Sequence, residues 1–171
     1  WISMDSQQNA AIMQKELIRR RFLTSVSGVL LVLAIISLPL SLARIPNTGL
    51  HFNHITHICA AVLILAVFCF RKRMSDHWLV SCIIFILTFI SLSSFMQYGV
   101  VSAGFYLAGA CIFVAGIGLG LWSGVICAGF YAVAASIIAY LWMSGFLVFP
   151  VDANEYVLLP TVWATLAVPF L

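Results

Sequence analysis

Charge is what this sequence has least of. Acidic and basic residues make up 8% of its 171 positions, while 64% are hydrophobic. Soluble domains carry about 25% charged and about 45–50% apolar residues. A chain this short leaves much of its surface exposed and cannot bury such an excess. A water-soluble globule is therefore excluded, and the solvent has to be lipid.

The five acidic residues are Asp5, Glu16, Asp76, Asp152 and Glu155, and none falls inside an apolar run. There is no paired carboxylate, no nucleophile–base spacing and no phosphate-binding loop. No charge sits at mid-membrane depth, where ion-coupled carriers and pumps place theirs. Catalysis within this stretch is not expected, and nucleic acid is not an expected partner. Period-2 alternation is also missing, which argues against a transmembrane barrel.

What is present is a series of long apolar runs. Five full spans are marked at about 22–43, 51–70, 77–98, 100–119 and 123–148, with a sixth cut short at 156–171. Each is predicted to be a helix, because backbone groups in hydrocarbon must bond within their own segment. The expectation is an all-α polytopic helix bundle behind a polar, basic leader at 1–21 that is rich in helix formers. A span needs about 20 residues, so an apolar run stopping at Leu171 suggests the membrane module of a longer chain.

Basic residues set the expected orientation. With the N-terminus in the cytoplasm, Lys15, Arg19, Arg20, Arg21, Arg71, Lys72 and Arg73 lie inside and only Arg44 lies outside. Asp152 and Glu155 then fall in an outer loop, and the sixth helix points its C-terminus into the cytoplasm. Trp78, Trp122 and Trp142 lie near span ends, where indoles anchor to the interface. The leader reads first as a solvated stop ahead of the first span, and otherwise as a short cytoplasmic helix whose Arg19–Arg21 cluster meets anionic headgroups of the membrane lipids.

Three histidines, His51, His54 and His57, open the second span. At 1.5 Å per residue, His57 lies roughly 20 Å from the Arg71 end. Steps of three residues spread the three rings over about 120° of the helix, one broad face. Ionisable groups inside a bilayer are functional candidates. A metal site completed by another helix, a proton-sensitive cluster, and a polar rim with His57 packing against a neighbouring helix all remain open. Ser91, Ser93, Ser94 and Gln97 make the outer half of the third span polar. With Thr56, His54 and His57 they outline a small outward-facing ligand pocket, suited to a small hydrophobic ligand entering from the bilayer.

Gly116, Gly120 and Gly124 recur every fourth residue, a pattern that lets helices approach closely. A tight turn is expected near 122–124. Pro39 in the first span, and Pro160 and Pro169 in the last, remove backbone donors and can kink a helix. The five cysteines, Cys59, Cys69, Cys82, Cys111 and Cys127, all fall in spans and read as small buried residues, not a disulfide framework.

The order of a basic leader, a span, an "RIPNTG" loop with histidine opening the second span, an "FRKRM" turn, then "YGVVSAGFYL" and "GLWSG" resembles the MASE-type sensor modules of bacterial signalling proteins. The resemblance implies a six-helix input module in the inner membrane, relaying a small or membrane-derived signal through its last helix. It also implies a homodimer and a cytoplasmic output domain in the same chain, a diguanylate cyclase, phosphodiesterase or histidine kinase. Two readings of other classes stand beside it: a stand-alone transporter or facilitator of neutral or lipid-like solutes, and a membrane subunit whose histidines bind metal or haem.

Overall fold

The computed structural model describes residues 2–99 and 102–148, together with Pro160 and Trp163. All regular structure among them is helical: α1 (Ile2–Leu42), α2 (Ile45–Thr48), α3 (Phe52–Phe70), α4 (Asp76–Tyr98), α5 (Gly104–Leu119) and α6 (Leu121–Met143). Four of these, α1, α3, α4 and α6, are long and apolar enough to cross a membrane. The expected sixth span, with Asp152, Glu155 and Pro169, lies outside the described residues apart from Pro160 and Trp163.

Three boundaries differ from the sequence reading, one of them the fifth span, expected to reach 148 but ending as α6 at Met143. The leader is not a separate segment: α1 runs unbroken for 41 residues, about 60 Å at 1.5 Å per residue. No glycine or proline interrupts residues 2–27, so nothing stops the helix at the arginines. The fourth span shortens to the 16 residues of α5, about 24 Å. Ser102 and Gly104 precede its first full turn, where the Ser102 Oγ donates to the Gly99 carbonyl and accepts from the Gly104 N–H.

Short links make consecutive helices antiparallel neighbours. α4 is the hub, touching α1, α3, α5 and α6. Half of its apolar window is buried, against 11% for α6. Leu23 of α1, Leu79, Val80, Ile83 and Leu87 of α4, Cys111 and Val114 of α5, and Tyr131 of α6 form the main core. Ala34, Ala60, Ile64 and Ile86 form a second one between α1, α3 and α4. Large apolar side chains such as Val32, Ile35, Val62, Leu65, Phe113, Ile126 and Val133 face outward. That arrangement suits hydrocarbon and would be costly in water.

Helix α5 joins α4 through a seam of small residues. Gly104, Ala108, Cys111, Ala115 and Gly118 recur at alternating four- and three-residue steps, and all are buried. A Cβ on Gly104 would lie 2.8 Å from the Ser91 carbonyl oxygen, and one on Gly118 would lie 2.7 Å from a Val80 methyl. Close backbone approach replaces hydrophobic force, which has no purchase between helices already in lipid.

The Gly116/Gly120/Gly124 repeat does not form one face of one helix. Gly120 is the α5–α6 turn, with φ of +109°, two residues before the expected position. Gly116 and Gly124 face each other across that hairpin. The cysteine reading is corrected as well: Cys111 is buried, but Cys59 and Cys69 are exposed on α3. A thiol is apolar enough to face lipid without large cost.

Candidate functional site

Buried polar side chains gather at the end of the bundle that holds Arg44 and the three histidines. Ser41, Arg44, Asn53, His54, Thr56, Ser91, Ser93, Ser94 and Ser102 are all buried there. A polar group removed from water must find a partner or cost several kcal/mol, so the pairing of these groups decides what the end can do.

The histidines have three different surroundings. His54 caps its own helix, since its Nδ1 accepts the backbone N–H of His51 at 3.1 Å. That bond satisfies one donor the helix terminus would otherwise leave open and places the ring proton on Nε2. The His51 and His54 rings stack with centroids 6.1 Å apart. The His51 Nε2 is buried and has no hydrogen-bond partner among the described residues. His57 bonds the Ser41 Oγ through Nδ1 at 3.0 Å. Both rings reach α1 at Ser41: His57 bonds its hydroxyl, and His54, besides capping α3, bonds its backbone.

Asn53 and Thr56, lying between the histidines, point at α4 instead. The single Thr56 hydroxyl hydrogen is forked between the Asn53 carbonyl at 2.8 Å and Ser93 Oγ at 2.9 Å. Ser93 also donates to Asn53 Oδ1 at 3.3 Å. The Asn53 side chain further engages the Tyr98 hydroxyl. The chain Ser41–His57 on one side of α3 and Thr56–Ser93–Asn53 on the other ties α1, α3 and α4 together.

Of the α4 residues expected to line a pocket, Ser93 faces α3, whereas Ser91 faces α5 and donates to the Gly104 carbonyl at 2.8 Å. Ser94 is buried on the same stretch. Gln97 is partly buried, and its Oε1 has no hydrogen-bond partner among the described residues. Arg44 is buried with Nε reaching the Leu40 carbonyl at 3.4 Å. It lies close enough to act electrostatically on His54, His57 and Tyr98.

Among the described residues, no three His, Cys, Asp or Glu side chains come together in a group that could hold a metal ion. The remaining histidine, His77, begins α4 at the opposite end, so no second described helix presents a histidine to His51, His54 or His57.

Sequence reasoning missed Ser41, Asn53 and Tyr98. Their only signal was polarity within a turn or two of the histidines or of the α4 terminus. It also missed a mid-bundle network, where Tyr131 donates to Thr88 Oγ1 at 3.2 Å and Thr88 Oγ1 lies 3.4 Å from Cys111 Sγ. Cys111 Sγ is 3.8 Å from Cys127 Sγ. A hydroxyl or thiol isolated in an apolar run gives no indication of its partner two helices away.

At the other end, one carboxylate organises the basic residues. Asp76 pairs with Arg19 at 3.2 Å and with Arg20 at 2.6 Å. Arg20 also donates to the carbonyls of Met74 and Arg71, closing the α3–α4 turn against α1. Arg71 lies over the Phe68 ring, 3.5 Å from its centroid. Between this end and the histidine end lies the apolar core around Leu79, Ile83 and Leu87.

Comparison of the chain with protein-family models, with curated proteins and with solved structures finds no match in any of the three.

Proposed function

We propose that this chain is the membrane-embedded input module of a bacterial signalling receptor, a six-span, multi-pass unit of the inner membrane with both termini cytoplasmic. It relays a small or membrane-derived signal to an output domain for cyclic-di-GMP turnover or phosphotransfer, in a homodimer. The observation carrying this reading is the hydrogen-bonded junction of α1, α3 and α4 at the histidine end. Ser41–His57 and Thr56–Ser93–Asn53 hold three helices by exchangeable polar contacts. A ligand that binds one helix arrangement better than another shifts the balance between them. Gln97 Oε1 and His51 Nε2, which have no hydrogen-bond partner among the described residues, are polar atoms such a ligand can engage.

A facilitator needs a polar path from one face to the other. The layer of Leu23, Leu79, Val80, Ile83 and Leu87 separates the basic end from the Tyr131–Thr88–Cys111 contacts at mid-bundle, and that interruption of a polar path favours sensing over passage. The resemblance of the loop and turn sequences to MASE-type modules supports the same choice.

The test uses the natural full-length gene product. Its sequence beyond Leu171 is expected to encode a cytoplasmic output domain. Ser41→Ala and Thr56→Ala are expected to change that domain's basal activity in membranes without lowering the amount of folded protein. A full-length product ending in a short polar tail, with solute flux in proteoliposomes, would replace this reading with the facilitator.

A further inference from the structure

The sequence places seven cations at one end of the bundle, and the structure divides them into two sets. Arg19 and Arg20 are committed to Asp76, and Arg20 and Arg71 also satisfy carbonyls at the end of α3. Lys15, Arg21, Lys72 and Arg73 are exposed, and Lys15 lies more than a turn before the others on α1. Arg20 is bonded to the carbonyls of Arg71 and Met74, so α1 lies against the turn that carries Lys72 and Arg73. Arg21, the next residue along α1, lies at nearly the same depth but about 100° further round the helix than Arg20, so it flanks the turn from the exposed side of α1.

Two independent features point to what these cations meet. Asp76, the one carboxylate in contact with this turn among the described residues, is already used by two arginines, so Arg21, Lys72 and Arg73 have no internal counter-charge here. Trp78 and Trp122, at the first turns of α4 and α6, are both strongly exposed at this same end. Indoles at that position mark the headgroup level of a bilayer, which is where phosphates lie.

We infer that Arg21, Lys72 and Arg73 form a docking surface for anionic phospholipid headgroups, and that Asp76 limits its strength by withholding Arg19 and Arg20. The cations carry the phosphate contacts, and Trp78 and Trp122 flank them at the glycerol level. This surface stands apart from the histidine end and does not depend on the signalling reading.

The experiment is native mass spectrometry of the protein released from bilayers of equal parts phosphatidylglycerol and phosphatidylcholine. The wild-type protein is expected to retain phosphatidylglycerol preferentially. Arg21→Gln, Lys72→Gln and Arg73→Gln together should abolish the preference, each cation contributing on the order of fivefold. Asp76→Asn should raise the preference above wild type by freeing two arginines. Inorganic phosphate added during release should leave the bound lipid in place. Unchanged phosphatidylglycerol retention in the triple variant overturns the inference, as does displacement of the lipid by phosphate alone. Circular dichroism of each variant confirms that the helical bundle is intact when lipid is counted.

Discussion

Gly124 sits so close to Gly116 that a Cβ built on it would lie 3.0 Å from the Gly116 Cα and 3.3 Å from the Ile112 carbonyl oxygen. The reverse is not true: a Cβ on Gly116 would meet Gly124 at an ordinary 3.9 Å. The α5–α6 hairpin therefore tolerates added bulk on one side only.

Gly124→Ala is expected to destabilise the bundle by about 1–3 kcal/mol, because the obstructing atoms are backbone and cannot rotate away. Gly116→Ala should be neutral or gain up to about 1 kcal/mol in helix propensity. Thermal unfolding in detergent, followed by circular dichroism, distinguishes the two. Equal losses would show that the hairpin is looser than described.

The same reasoning applies to Gly104, where a Cβ would meet the Ser91 carbonyl oxygen at 2.8 Å and the Phe95 ring at 3.0 Å. Gly104→Ala should cost about 1–3 kcal/mol and weaken the Ser91 hydrogen bond to the Gly104 carbonyl. Gly109→Ala is the matched control, since nothing lies within 4 Å of a Cβ there.

Ser41 and His57 form an interhelical pair with donor and acceptor 3.0 Å apart. A double-mutant cycle of Ser41→Ala and His57→Ala should give a coupling energy of about 0.6 kcal/mol, at most about 1.7. A coupling indistinguishable from zero would remove this contact from the α1–α3–α4 junction. Arg44 and His54 are left unaltered in the cycle, because both neighbour His57.

Asp76→Asn removes the shared partner of Arg19 and Arg20. These side chains are 31% and Asp76 19% exposed, so solvent screens the pair and the loss should be about 1 kcal/mol. High salt should shrink the difference between variant and wild type. A loss insensitive to salt would show that pairing with Arg19 and Arg20 is not what Asp76 contributes.

Much of the fold was legible in the order of residues. The helices α3 and α4 fall within one residue of their apolar runs, since hydrophobic length is a local property. The errors occurred where a boundary depends on a neighbour. The fourth span loses its first turn where the chain bonds back through Ser102. The glycine repeat reads as one face, but its middle member is the turn. The exposed positions of Cys59 and Cys69 depend on which side of α3 meets α1 and α4.

The candidate site was legible as a location, not as a set of contacts. Spacing grouped His51, His54 and His57, yet the bundle uses one as a helix cap and another as a link to α1. Asn53 and Thr56, between them in sequence, make the contacts to α4. A shift of one residue on a helix rotates a side chain by about 100°, so neighbours in the chain address different helices.

By itself the sequence determined the apolar solvent, the helical character of the described spans and the polarity of the two ends. Each of these follows from composition along a continuous stretch and from backbone bonding within it. Only the tertiary structure decided the partners: Ser41 with His57, 16 residues apart; Thr56 with Ser93, 37 apart; and Arg19 with Asp76, 57 apart. Such pairs depend on which helices are adjacent and how each is rotated, and both are set by packing of the whole bundle.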